Sequence, residues 1–449
     1  MNLLDQDSGM RKVPESERQH WMVPATIFGG LEFSVPVLMI GAVLAGSFGI
    51  SKVLLILLVG LVVIQWAGNA LQGYIGAKTG LSSSVIARTS FGSLQARFII
   101  GLALVILNIG WFAVNTAVAG NAIAAVLHVN YKENWIIWAL LTIGAGLLFA
   151  IPAVIGYNSM KWTDYLAVPS GLILIIAAVF YSLKGAGWEK ITSWNPEPTM
   201  TFWGAVGLIL GANVAQWLIA SDYTRYSKPT IKDQALIPLG IIVIGFVFFL
   251  TGAVMSVGVG DADIVTVMQN LGFPFWGFLI LWLALWTSQL VASYSTGLAA
   301  ANMFNVQSGK GRAWLTIIGS ALGIILALMG ILTFFMDFLI LLGVIYPAIA
   351  GVIFADFFFI RNKEWVDKEG WNWMATLAMI SGGLVGYVTQ YLIPIGIPAV
   401  QSLVAAVIVY LIAMKLKAII APDQFTETST VNSKKATVLQ STNFEKISD

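Results

Sequence analysis

Twelve stretches of this chain are apolar over the length a helix needs to cross a bilayer, about 20 residues, and nothing else limits the possible folds so sharply. They run Met22 to Ser47, Val53 to Gly76, Phe98 to Leu127, Trp135 to Tyr157, Trp162 to Leu183, Phe202 to Ala220, Ala235 to Val259, Phe275 to Phe304, Trp314 to Leu332, Phe334 to Ile360, Trp371 to Leu392 and Ile395 to Leu416. Continuous runs of this kind predict an all-α integral membrane protein. They exclude an outer-membrane barrel, whose strands alternate weakly between apolar and polar. Only 10% of the residues are charged, against roughly 25% in soluble domains, so lipid is the main solvent of the surface.

The connections fix the topology. Of 24 Lys and Arg residues, only Lys52, Lys132, Lys184 and Lys190 fall on one side of a twelve-span arrangement; the other 20 fall on the side that takes both termini. Basic residues accumulate in the cytoplasm, which predicts cytoplasmic termini and favours twelve spans over eleven or thirteen. The polar run from Met1 to His20 has no apolar core and does not read as a signal peptide. No loop between spans exceeds about 20 residues, too short for a soluble domain of at least 50, and no G-x-x-x-x-G-K-[ST] phosphate loop occurs. An ATP-driven pump is not expected on that basis. The net charge of +2 carries no nucleic-acid footprint. With no cysteine and only His20 and His128, thiolate chemistry and a histidine-rich metal centre are not expected. The expected partners are the bilayer and a small solute, with no nucleic acid and no obligatory protein.

Polar residues inside the spans are the candidates for function. In the first span Gly29, Gly30, Glu32 and Pro36 predict a helix break, since proline has no N–H for the carbonyl of residue 32. Freed carbonyls are tolerated at membrane depth only where protein or a cavity receives them. A simple proline kink is the plainer reading. Gly204, Gly207, Gly211, Ala212 and Asn213 weaken the sixth span in the corresponding place, and paired interruptions point to a transport site; close packing at glycine accounts for them as well. Asn108, Trp111 and Asn115 share one face of the third span. They offer a ring for stacking a flat heterocycle and amides for its edge, or else a packing stripe. Ala284, Thr287 and Ser288 share a face of the eighth span, as do Gln289, Ser293 and Thr296. Oxygen groups there could hold a hard cation, or simply bond the preceding turn. Glu32, a carboxylate inside a span, is a functional candidate by position. It could serve proton coupling, bind an amino or cationic group of the solute, or line a hydrated vestibule. Asp222 and Arg225 read as an interfacial pair or gate.

The run Gln72-Gly-Tyr-Ile-Gly-Ala-Lys-Thr-Gly80, with Ala87-Arg-Thr-Ser-Phe-Gly92, Gly110-Trp-Phe112, Ser221-Asp-Tyr-Thr-Arg225, Trp286-Thr-Ser288 and Phe354-Ala-Asp-Phe357, resembles the nucleobase:cation symporter family 1, in particular its bacterial cytosine and purine permeases. The likeness runs from about Trp21 to Leu416. It implies a LeuT-type core of five plus five inverted helices over residues 22–360, two accessory helices over 361–417, a cytoplasmic segment at 1–21 and a disordered cytoplasmic tail at 418–449. It also implies cation symport of a nucleobase-like solute by alternating access in the bacterial inner membrane. Carried over residue by residue, the Na⁺ site falls at Gly29 or Gly30, Glu32 or Phe33, Ala284, Thr287 and Ser288, with H⁺ coupling through Glu32 as the alternative. The stacking ring falls at Trp111 and its polar partner at Asn115. Where relatives place an aromatic on the sixth helix, Asn213 stands here, with Trp217 one turn on, and eighth-helix asparagines become Gln289 and Ser293. A passive facilitator needs no coupling site, and a membrane enzyme would need acids and bases that the spans scarcely supply.

Overall fold

The computed structural model describes residues 12–420 apart from positions 33, 130–132, 156, 258, 260 and 307; of residues 31, 157–169 and 287 it describes only the helical backbone. Phe33, the Thr287 side chain and nearly all of the expected tail therefore lie outside the described residues. Each of the twelve expected stretches is helical. Among the described residues, nine helices are long and apolar enough to cross a membrane unaided, and eleven spans result when two bent pairs each count as one. The remaining expected span is the helix Trp373–Tyr387 with its wider turn Val388–Leu392, diluted by glycine, tyrosine and Gln390. Among the described residues the only strand-like pairing is an isolated parallel bridge between Gln19 and Ser227.

The first span breaks as expected, and its halves Met22–Gly30 and Val35–Ala45 meet at 67°. Glu32 O, which Pro36 leaves without a helical donor, accepts the Ser34 N–H at 2.7 Å instead. In an unbroken helix that N–H would have gone to Gly30 O, so the neighbouring Gly30 carbonyl loses its helical donor as well. The sixth span divides into Phe202–Asn213 and Gln216–Thr224 but keeps its direction as a single crossing. Its interruption lies at Val214 and Ala215, just after the expected place. The Trp217 N–H turns to Val214 O at 3.0 Å, and Asn213 O takes the Gln65 Nε2–H at 2.9 Å instead. Gly211 serves packing, because a Cβ there would lie 2.6 Å from Leu339 O of the tenth span.

Packing between spans repeats with an offset of five. The second span packs on the sixth as the seventh packs on the first, the third on the ninth as the eighth on the fourth, and the third on the fourth as the eighth on the ninth. Five is odd, so matched spans cross in opposite directions; the chain is an inverted repeat. Glycines allow the matched contacts to close backbone on backbone. A Cβ on Gly252 of the seventh span would meet Leu38 O at 2.0 Å, and one on Gly76 of the second would meet Ser221 Cα at 2.6 Å. The eleventh and twelfth spans pack on each other and on the tenth, outside the repeat.

Candidate functional site

The third and eighth spans pack closely on each other, and most of the useful polar groups meet there. Asn115, 1% exposed, donates from Nδ2 to Ser288 Oγ at 3.2 Å and leaves its own buried Oδ1 without a partner. Ser288 in turn donates to Leu285 O at 3.1 Å. One residue on, the buried Gln289 donates across the same seam to Phe112 O at 3.2 Å and Thr116 Oγ1 at 2.7 Å, and its Oε1 is also unpartnered. The face thus keeps two acceptor oxygens out of water and unused. An unmet buried acceptor is costly, so such atoms mark a place where an N–H donor fits.

Trp111 stands one turn from Asn115, half-buried, and its ring is met edge-on by Phe338 at 5.6 Å and Phe335 at 6.3 Å between centroids. Both phenylalanines come from the tenth span, and neither stood out in the sequence, where a phenylalanine within an apolar run has no contrast with its neighbours. Phe335 also lines a cavity of about 370 Å³ with Met39 and Val43 of the first span, Asn121 of the third, and Asp263 and Leu332. That cavity lies at the ends of the spans opposite the amino-terminal segment. Phe335 is common to the cavity wall and to the ring contact with Trp111.

Other candidates are placed elsewhere. Asn108 donates to Leu104 O of its own helix at 2.7 Å, the plain back-bond of a polar residue in a span. Asn213 does the same to Ile209 O at 3.2 Å. Trp217 packs its ring edge on Gly68 of the second span, within 2.3 Å of where a Cβ would be. Ser293 pairs with Ser320 of the ninth span at 2.7 Å and Thr296 bonds Ala292 O at 2.8 Å. Glu32, 3% exposed, lies with Oε2 unpartnered against Gly245 of the seventh span, not on the third-to-eighth face. The first span does touch the eighth, and Ala284 is buried on it. The remaining positions of the expected cation set, Phe33 and the Thr287 side chain, are outside the described residues. Asp222 accepts the Ser83 N–H at 2.7 Å and so fixes the short helix Ser83–Phe91 to the sixth span.

The family described as permease for cytosine/purines, uracil, thiamine, allantoin matches residues 12–413. The cytosine permease of Escherichia coli K12 is 26% identical over 400 residues, covering 87% of this chain and 92% of the relative. The allantoin permease of Bacillus subtilis is 25% identical over 437 residues, with 86% and 87% covered. Among solved structures, the nucleobase-cation-symport-1 family transporter Mhp1, closed with bromovinylhydantoin bound, superposes with a TM-score of 0.76 at 20% identity over 92% of this chain and 96% of that one. A Na⁺-coupled sialic acid symporter in its outward-open state follows at 0.64 and 17%, with 89% and 90% covered. These superpositions establish the LeuT-type fold that the contact repeat already displays. The chain belongs to the family of cytosine/purine, uracil, thiamine and allantoin permeases, and is a multi-pass membrane transporter rather than an enzyme.

Proposed function

We propose that this permease imports a neutral, planar nucleobase-like solute across the plasma membrane by Na⁺ symport, with both termini in the cytoplasm. The solute stacks on Trp111 and donates N–H groups to Asn115 Oδ1 and Gln289 Oε1. Na⁺ binds between the first and eighth spans at Gly30 O, Phe33 O, Ala284 O, Thr287 and Ser288. The observation that carries the reading is the Asn115–Ser288 hydrogen bond, because it joins the residue offered to the solute to a residue offered to the ion. Occupancy of either site then alters the position of a shared side chain, which is the physical content of coupling.

The test is uptake into proteoliposomes under an imposed solute gradient. Accumulation above equilibrium in Na⁺, lost when choline replaces it, supports the reading. Accumulation that ignores Na⁺ but follows a pH gradient, and that Glu32→Gln abolishes, supports H⁺ coupling instead. That second reading rests on the buried, unpartnered Glu32 Oε2. Equilibration without accumulation would make the protein a passive facilitator.

A further inference from the structure

A second concentration of unpartnered polar atoms lies away from the third-to-eighth face, in the seam between the second and sixth spans. The second span is α-helical over Ile50–Leu57, widens to a π-helix over Leu58–Gln65, and resumes as α-helix over Trp66–Thr79. Gln65, Asn69 and Gln72 follow at i, i+4 and i+7 and so share a face, with exposures of 0%, 2% and 0%. Gln65 Nε2 donates to Asn213 O at 2.9 Å, and Gln72 Nε2 donates to Leu218 O and Ser221 Oγ, each at 3.0 Å. Because carbonyls can only accept, both carboxamides are fixed with nitrogen towards the sixth span. Their Oε1 atoms are left buried and unpartnered, and Asn69 between them has no partner at either Oδ1 or Nδ2.

The sixth span adds a donor. Trp217 lies in sequence between Asn213 and Leu218, is 2% exposed, and presents an unpartnered Nε1. That atom sits 2.3 Å from where a Cβ on Gly68 would be, next to Asn69. Three acceptors and two donors thus lie buried and unpartnered along this seam, with no charged residue among them. At membrane depth unmet polar groups are not left dry. A hard cation would take the oxygens alone and would be repelled by the two N–H groups. Water accepts from N–H, donates to C=O, and occupies buried sites where it finds two to four such partners.

We propose that Gln65, Asn69, Gln72 and Trp217 form an internal water site that hydrates the break of the sixth span. The water gives the carboxamides an exchangeable partner, so the two halves of the sixth span can shift against the second without stranding a buried polar group. X-ray radiolytic footprinting with mass spectrometry tests this without any solute, and therefore independently of the transport reading. Hydroxyl radicals made from a bound water oxidise the side chain beside it. Trp217 is expected to be oxidised, with ¹⁸O exchanging in slowly from labelled bulk water. Trp138, 5% exposed and with Nε1 bonded to Asn121 Oδ1 at 2.8 Å, is expected to stay unmodified. Asn69→Leu, close in size and without polar atoms, should lose the Trp217 label while melting no earlier than the parent. The proposal is overturned if Trp217 in the parent protein is as inert as Trp138, or if Asn69→Leu keeps the label. Label that disappears when Na⁺ replaces choline would assign the oxygens to a cation and overturn it as well.

Discussion

Trp111 and Asn115 are a single turn apart, yet their removal should be felt differently. If the solute stacks on Trp111, Trp111→Ala costs about 1–3 kcal/mol of binding, the range for bases stacked on aromatic side chains, and leaves the Na⁺ dependence in place. Asn115→Leu removes the amide that holds Ser288 Oγ, so both solute affinity and its response to Na⁺ should fall. Calorimetric titration of each variant in Na⁺ and in choline checks both outcomes; parental affinity in Trp111→Ala would take that ring out of the site. The pair was legible in the sequence because an indole and an amide contrast with an apolar helix at helical spacing. Phe335 and Phe338 had no such contrast, and only the fold carries the tenth span to the third. Beyond the spans, Lys368 gives a pH signature. Burial, and after it the Lys417 ammonium, push Lys368 down from 10.5 to about 8. The unfolded chain therefore holds a proton that the folded one lacks between these values, and stability should rise with pH across that window. Melting temperature measured from pH 8 to 10 should show the rise, and Lys368→Met should flatten it.

Elements were legible in proportion to how far their signal stood apart from lipid-facing sequence. Span positions followed from apolar length, and the break of the first span followed from Pro36, whose missing N–H weakens any helix that contains it. The break of the sixth span was displaced in the sequence reading because glycine also serves close packing: Gly211 fits against the tenth span, whereas the interruption falls at Val214 and Ala215, where no Gly or Pro announces it. The accessory helices lie outside the repeat, yet a buried polar cluster binds them to the core. Asp356, fully buried at the end of the tenth span, accepts from Tyr410 Oη of the twelfth at 2.7 Å and from Ser90 Oγ at 3.3 Å, and Asn372 donates to Ser90 O at 2.6 Å. Hydrogen bonds to charged groups contribute about 1.5–3 kcal/mol. Tyr410→Phe should therefore destabilise the protein by about that much, read as an earlier melt in detergent. An unchanged melt would mean that the twelfth span is held by apolar packing alone.

At the scale of the molecule, the two repeats meet where function is proposed. The third and eighth spans are counterparts under the offset of five, and so are the first and sixth, whose interruptions face different partners. This symmetry gives two arrangements of nearly equal packing, which a transporter needs if one site is to face either side of the membrane. The amino-terminal segment adds a tie on one side. The Val13 N–H bonds Gly80 O at 2.9 Å and the Gln19 N–H bonds Tyr226 O at 2.6 Å, while the Arg18 guanidinium donates to Arg225 O and Ser227 O. Arg18→Ala should speed amide exchange at Val13 and Gln19, because the strap loses its side-chain anchor. The deeper test concerns the choice between the two arrangements. A ligand shifts such an equilibrium only by its difference in affinity for the two states. If Na⁺ and solute both favour the arrangement in which Asn115 holds Ser288, each must tighten the other by the same factor, typically about 5–150-fold. Solute affinity measured across a Na⁺ titration, and Na⁺ affinity measured across a solute titration, should return equal factors. Unequal binding factors cannot come from one linked equilibrium, and a factor of one would separate the two sites altogether.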